Sequence, residues 1–171
     1  DLWFLGYHHV ISTYTRLWFD RKSFAEHRSL VVSLPLFVAA GTLAAFYAFG
    51  LWIIVSVYFY WQWYHYTRQS WGVSRAYRGK DREALYDNEW LERAIFYAVP
   101  ILGILHRSNQ DPGKFIGMEL RVISVPSAVV SLATGVTIGL VALWVLRRIE
   151  AWRQGRLAYV HTAYMLTHFA I

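Results

Sequence analysis

Histidines are the residues of this chain whose type and spacing are best suited to chemistry. The sequence contains 7 of them. Four lie near the basic ends of apolar stretches, at similar depths: His8, His9, His65 and His161. Neutral imidazole is a common ligand of iron, zinc and copper, so four imidazoles at one level predict a shared metal ion. His168, about 10 Å deeper on the segment of His161, is predicted as a fifth ligand.

A polar stripe follows one face of the apolar segment that contains His65. Intervals of four, three and four residues join Tyr58, Gln62, His65 and Gln69, and this helical spacing predicts an inward-facing stripe. Gln62, Gln69 and Asp1 are the predicted acceptors for imidazole protons around the metal. Aromatic side chains beside His65 are predicted to line a cavity for an apolar substrate: Tyr58, Trp61 and Tyr64. The alternative for these rings is an aromatic belt at the level of the lipid headgroups.

The cofactor is predicted to be non-haem iron, with haem b as the alternative. Two helices that each present one histidine could hold haem b, and His65 with His161 or His8 suits that geometry. The adjacent pair His8 and His9 favours non-haem iron, because neighbouring imidazoles project about 100° apart on a helix. The predicted spans between residues 30 and 146 are expected to contribute no Asp or Glu to a metal site. This expectation argues against a four-carboxylate di-iron bundle. No catalytic acid or base is assigned from the sequence.

The elements that carry these histidines are predicted from long uncharged stretches. Residues 29–67 contain no charged side chain, and this length is nearly twice the roughly 20 residues that cross a bilayer. Two helices with a turn at Gly50 fit the stretch, and Pro35 and Pro126 are predicted to mark helix starts. The sequence therefore predicts an all-α fold, a polytopic integral membrane helical bundle of five to six spans or partial spans. The predicted spans of this single domain, residues 1–171, are residues 2–15, 30–49, 51–67, 90–106, 122–146 and 157–171.

One predicted span has two interpretations. The uncharged core of residues 90–106 is short and contains Pro100, so this segment either crosses the membrane from a start near Trp90 or re-enters on the same side. If it crosses, 14 Lys and Arg residues lie on one side of the membrane and 3 on the other. Because cytoplasmic loops carry such an excess, the segments 16–28, 68–93 and 147–156 are predicted to be cytoplasmic, in a bacterial inner membrane.

Composition excludes several classes of protein. The chain is 56% hydrophobic and 16% charged, against roughly 25% charged residues in soluble domains. It has no cysteine, so it has neither disulfides nor thiolate metal sites. The net charge of +6 is spread between apolar runs, which predicts no nucleic-acid partner. The chain starts at Asp1 and stops inside an apolar stretch, as expected of an excerpt from a longer protein.

Three motifs carry a resemblance to a known class of enzyme: HHVISTYTR at residues 8–16, WQWYHYTRQ at residues 61–69 and HTAYMLTH at residues 161–168. This arrangement resembles polytopic membrane oxygenases of the carotene-dioxygenase and desaturase or hydroxylase type, which hold non-haem iron with histidines. The resemblance implies oxidation of a lipid-soluble substrate with dioxygen at iron. The predicted partners are therefore membrane lipids and a hydrophobic small molecule.

The alternative function is a non-catalytic membrane subunit. Its aromatic helices would bind a pigment, a lipid or haem, or would pack against other membrane subunits. Gly135 and Gly139, four residues apart, support helix contacts of the GxxxG kind.

Overall fold

The computed structural model describes residue 12 and residues 15–81 and 87–169. Its helices are α1 (Arg21–Phe49), α2 (Leu51–Lys80), α3 (Glu89–Gln110), α4 (Ser127–Arg153) and α5 (Tyr159–Phe169), and one short hairpin pairs β1 (Lys114–Phe115) with β2 (Met118–Glu119). The predicted all-α class is confirmed for the described residues. The chain divides into two compact units, one ending at Gly50 and the other beginning at Leu51.

The first unit consists mainly of α1. Asp20 caps its start, because the carboxylate accepts the Lys22 amide at 3.1 Å and the Ser23 hydroxyl at 2.8 Å. The helix kinks at His27 (φ −118°, ψ 16°), where an imidazole nitrogen bonds the Ser23 carbonyl at 3.1 Å and so competes with the helical ladder. Pro35 lies inside α1, so the prediction that it marks a helix start is wrong.

Gly50 separates α1 from α2, as the sequence predicts. Its φ of +88° lies in the region that favours glycine, and its amide donates to the Phe46 carbonyl at 2.8 Å. The next helix differs from the prediction at its far end. The apolar segment was expected to end near Thr67, whereas α2 continues through the basic residues to Lys80.

The second unit packs α3 against α2 and α4, with α5 lying on α2. Helix α3 begins at Glu89, next to the predicted start at Trp90, and passes through Pro100 without a break; whether it crosses stays a prediction. Pro126 caps α4 and marks its start as predicted. The main core contains these buried side chains: Trp71, Leu91, Ile95, Phe96, Trp144 and Met165.

The connection between α3 and α4 is held on α2 by two side chains. The Ser56 hydroxyl accepts the Arg121 amide at 3.1 Å, and the Tyr60 hydroxyl accepts the Ile123 amide at 2.8 Å. The β1–β2 hairpin in this connection turns through Ile116 (φ +51°) and Gly117 (φ +78°), a two-residue turn of the kind that favours tight hairpins. The sequence analysis predicts no strands here.

Among the described residues, two helices are long and apolar enough to cross a membrane: α1 and α4. Their side chains are largely exposed, with Val31 buried in α1 and Thr137, Trp144 and Arg148 buried in α4. The larger count of five to six spans stays a prediction.

Candidate metal centre

A cluster of charged side chains is buried where four segments of the second unit meet. Arg78 comes from the last turns of α2, and Asp87 precedes α3. Glu92 lies in the first turn of α3, and Arg148 lies in the last turns of α4. His161 comes from the first turn of α5. Glu92 is 1% exposed and His161 is 0% exposed.

Local sequence fixes the carboxylates at this position. The Asn88 side chain caps α3 by accepting the amides of Trp90 and Leu91 at 3.0 and 3.2 Å. The cap sets the start of the helix, with Asp87 just before it and Glu92 in its first turn. Glu92 then falls on the same face as the fully buried Ile95 and Phe96, three and four residues later, so the helix turns its carboxylate into the protein.

Two arginines hold the carboxylates. Arg78 donates to Glu92 Oε2 at 2.7 Å and to the Asp87 carbonyl at 2.6 Å. Arg148 pairs with both oxygens of the Asp87 carboxylate in a bidentate arrangement. Each carboxylate therefore has a guanidinium partner, as buried charges require.

Three buried side-chain atoms of the cluster have no hydrogen-bond partner: Arg148 Nε, Glu92 Oε1 and His161 Nδ1. Glu92 Oε1 and His161 Nδ1 lie 3.7 Å apart, and His161 Nδ1 lies 3.9 Å from Asp87 Oδ2, both too long for hydrogen bonds. Since an unsatisfied buried polar atom costs about 1–3 kcal/mol, a ligand between them would be stabilising.

These three side chains have the spacing of metal ligands. One donor atom from each of Asp87, Glu92 and His161 lies within 4.8 Å of the other two. Two ligand atoms about 2.1 Å from one ion are at most about 4.2 Å apart, so the measured 3.7 and 3.9 Å fit inside that limit. The set offers two carboxylates and one imidazole.

The imidazole of His161 is oriented from its other side. The Ser74 hydroxyl lies 3.1 Å from His161 Nε2, and this contact leaves Nδ1 directed at the carboxylates. A bond to the second ring nitrogen is the usual way in which proteins orient a ligating histidine.

Burial dominates the electrostatics of the cluster. The pKa of Glu92 is raised to about 7, first by burial and then by the nearby Asp87 carboxylate, while Arg78 and Arg148 oppose the shift. Burial also lowers the pKa of His161, with the two guanidinium groups adding to the effect and Asp87 opposing it. Glu92 lies in α3 and His161 in α5, outside the two helices that are long and apolar enough to cross a membrane. Near neutral pH the imidazole is uncharged, and Glu92 titrates.

Two cavities are lined by residues that belong to the cluster or lie near it. A polar cavity of about 190 Å³ is lined by Asp87 and Arg148, among others. A largely apolar cavity of about 870 Å³ is lined by residues of α2, α3, α4 and α5, including Ser70 and His168. Ser70 lies one helical turn, about 6 Å, from the Ser74 that contacts His161.

The described histidines that are predicted as ligands differ in burial and in their hydrogen-bond partners. His161 is in the cluster. His65 is exposed, and its Nε2 accepts a hydrogen bond from the Gln69 side-chain amide at 2.9 Å, so Gln69 is the donor in this contact. Nine residues, about 13 Å of helix, separate His65 from the Ser74 beside His161. The five-histidine set stays a prediction, because His8, His9 and Asp1 lie outside the described residues.

The other predicted site residues lie along α2 and α5. His168 is buried and its Nε2 donates to the Phe96 carbonyl at 3.3 Å. Gln62 is half-buried. The expected cavity-lining residues are exposed side chains that the apolar cavity does not include: Tyr58, Trp61 and Tyr64. The inward stripe is not found in the second unit, where Tyr58 and His65 are exposed. The same helix lines the cavity with Trp63 and Tyr66 instead.

Sequence reasoning missed four residues of the cluster: Arg78, Asp87, Glu92 and Arg148. From the sequence, segment 68–93 is predicted only to be cytoplasmic, and the predicted spans are expected to lack carboxylates. That expectation is wrong for Glu92, which is buried in α3. The signal was helical spacing, because Glu92 precedes Ile95 and Phe96, and Arg148 follows Trp144, by three or four residues each.

Comparison with known proteins adds no assignment to this geometry: no protein-family model, no curated protein and no solved structure matches the chain.

Proposed function

We propose that the chain is a membrane-embedded, metal-dependent oxidoreductase that acts on a lipid-soluble substrate, with iron bound by Asp87, Glu92 and His161. The observation that carries this proposal is the pair of buried, unpartnered donor atoms, Glu92 Oε1 and His161 Nδ1, beside the Asp87 carboxylate. Three protein ligands are typical of catalytic metal sites, which keep a further position open for water or substrate.

The donor types support iron among the common ions. Imidazole suits zinc, copper and iron, and carboxylates suit harder ions, so a mixed set of one imidazole and two carboxylates favours a divalent first-row metal such as Fe(II). Iron would supply redox chemistry. The residues of the chain would orient its ligands: Ser74 holds His161, Arg78 holds Glu92 and Arg148 holds Asp87.

The charges already present in the cluster oppose the binding of a divalent ion. Two guanidinium groups already compensate two carboxylates, and a divalent ion would add positive charge to a buried site. The ion must therefore compete with the proton of Glu92 and with Arg148 for Asp87. We expect its affinity to rise as pH rises through about 7, the pKa of Glu92.

The apolar cavity supports a lipid-soluble substrate. Its volume of about 870 Å³ is within the range of small-molecule sites, about 300–1,000 Å³. It is lined largely by apolar and aromatic side chains such as Trp63, Tyr66 and Val99, which suit the hydrocarbon part of an uncharged lipid. We place this unit in a polytopic bundle whose basic segments 16–28, 68–93 and 147–156 face the cytoplasm.

Metal content tests the proposal directly. Protein purified in detergent without chelators is expected to contain about one iron atom per chain by mass spectrometry of the metals. Both Glu92→Gln and His161→Ala are expected to lose most of it, since each removes one of three ligands. The matched control is His106→Ala, which changes an exposed histidine and should keep the metal. Circular dichroism confirms that each variant is folded.

Two results would contradict the proposal: no stoichiometric transition metal in the wild-type protein, or metal retained in both ligand variants. A protein without metal would leave Glu92 and His161 as a buried pair that holds a proton.

A non-catalytic subunit that binds haem or a pigment is the second candidate. His168, at the wall of the apolar cavity, supports it, because its Nε2 donates to the Phe96 carbonyl and its Nδ1 keeps a lone pair. A Soret band in the purified protein, lost in His168→Ala, would replace the first proposal with this one.

A further inference from the structure

Among the polar groups that line the apolar cavity of the second unit, hydrogen-bond acceptors are more numerous than free donors. Four helices line it, and most of the lining is apolar. The few polar side chains in such a cavity decide which ligand is accepted and in which orientation, because each must be satisfied when water leaves. Their hydrogen-bonding state therefore predicts the chemistry of the ligand.

His168 offers an acceptor. Its Nε2 bonds the Phe96 carbonyl at 3.3 Å, and since a carbonyl can only accept, the proton is on Nε2. In a neutral imidazole the other nitrogen, Nδ1, then has a lone pair and no proton. Burial lowers the pKa of His168, which keeps the ring neutral.

Two threonines in the lining also offer acceptors. The Thr67 hydroxyl donates to the Trp63 carbonyl at 2.8 Å, and the Thr134 hydroxyl donates to the Val130 carbonyl at 2.8 Å. Their protons are committed to their own helices, so the oxygens have lone pairs left. Ser70 can donate or accept, and His106, also in the lining, is exposed and bonded to Gln110 at 3.1 Å.

We propose that this cavity binds an uncharged lipid-like alcohol, with the hydroxyl donating to His168 and the hydrocarbon body lying along the apolar walls. An alcohol supplies the donor that the acceptors lack. A carboxylate has acceptors only and carries a charge, and the lining contains no acidic side chain to pair with an ammonium ion. A plain hydrocarbon would leave the acceptors unpaired.

This inference names the substrate class of the proposed oxidoreductase. It rests on the proposed function only in calling the alcohol a substrate. Binding does not require the metal. His168 is not among the three donors of the metal centre, so loss of the alcohol site and loss of the metal site can be observed separately.

Equilibrium binding of a matched series tests the inference on the full chain in nanodiscs. The probes are radiolabelled hexadecan-1-ol, its methyl ether and hexadecane, which share a chain and differ in the hydroxyl proton. We expect the wild-type protein to bind the alcohol about 3- to 10-fold tighter than the ether, the worth of one neutral hydrogen bond. His168→Leu should bind all three alike, and should keep its iron.

The control is His65→Leu, which changes an exposed histidine on α2. Because the probes partition into the lipid equally with either variant, a difference in binding between the two variants reports the loss of His168. Equal binding of alcohol and ether by the wild-type protein, no saturable binding of any probe, or a preference that survives in His168→Leu would each overturn the inference. If His168→Leu does not fold, the wild-type series alone decides. If iron is absent and the alcohol preference is present, the proposed metal function fails and the alcohol site stands.

Discussion

At the scale of single residues, Glu92 is a buried carboxyl that titrates near neutral pH. Its pKa is about 7 in the folded protein, mainly because burial penalises the ionised form, against 4.5 for the ordinary group. The folded state therefore binds a proton more tightly than the unfolded state. Stability from this group is fully present below about pH 4.5 and is lost as pH rises through 7.

The first prediction at this scale concerns Glu92→Gln, a neutral isostere. With a chelator present, its stability relative to the wild-type protein should rise between about pH 4.5 and 7, by about 3 kcal/mol at about 1.36 kcal/mol for each pH unit. Thermal unfolding in detergent, followed by circular dichroism across this range, measures the difference. His161 is present in both proteins, so the opposite effect of its lowered pKa cancels in the comparison.

The matched control is Glu89→Gln, three residues earlier in the same turn of α3. Glu89 is half-exposed and pairs with Arg75 at 3.7 Å, so its replacement should change stability by less than about 1 kcal/mol at any pH. Parallel pH profiles for wild-type protein and Glu92→Gln would refute the account of Glu92.

Residue type alone could find part of the site. His161 was selected as a ligand because imidazole inside an apolar stretch is expensive and needs a partner. The partners were missed because Asp87 and Glu92 lie in a run of mixed charges that reads as a polar loop. Their burial depends on where Asn88 starts α3 and on the chain folding back to bring Arg78 and Arg148 beside them, and these are long-range contacts that spacing does not contain.

At the scale of the elements, one ion pair ties α4 to the segment that starts α3. Arg148 is buried and holds both oxygens of Asp87. Removal of one member of such a pair leaves a buried, uncompensated charge. The pair therefore fixes the last turns of α4 beside the candidate ligands Glu92 and His161.

Neighbouring arginines give a sharp test of this role. Arg148→Met should destabilise the protein by about 3–5 kcal/mol, whereas Arg147→Met, at an exposed position with the same change in charge, should cost less than about 0.5 kcal/mol. Thermal unfolding compares the two. The double variant Asp87→Asn with Arg148→Met should recover part of the loss, and equal effects of the two single changes would contradict the assignment.

Element boundaries followed from the sequence where one residue dictates them. Gly50 ends α1 through a positive φ, and Pro126 starts α4, because these residues impose backbone conformation locally. The end of α2 was missed because the change from apolar to basic residues at Arg68 alters the surroundings of a helix and not its hydrogen bonds. The β1–β2 hairpin was missed because two-residue strands have no measurable periodicity.

At the scale of the whole molecule, α1 and α4 are each apolar and largely exposed over a length that could cross a membrane. Both are long enough for about 30 Å of hydrocarbon. In the second unit, α4 separates the β1–β2 hairpin from the basic segment around Gln154. If α4 crosses, these two ends are on opposite sides of the bilayer.

Single-cysteine labelling tests that arrangement cleanly, because the chain has no cysteine of its own. Lys114→Cys and Gln154→Cys change exposed residues on either side of α4. In intact cells, a membrane-impermeant maleimide should label Lys114→Cys and not Gln154→Cys, and both should react after permeabilisation. Labelling of both positions from outside, or of neither, would show that α4 does not cross as proposed.

The short helix α5 carries both His161 and His168, seven residues apart. It therefore connects the candidate metal site with the proposed alcohol site. A ligand that shifts the backbone of the helix at either histidine also shifts it at the other, since the eleven residues of the helix move as one body. Metal at one end and alcohol at the other should therefore bind with positive cooperativity, each raising the affinity for the other by the same factor. By this reciprocity, a protein whose cavity is empty would bind the proposed metal ion more weakly than one whose cavity is filled.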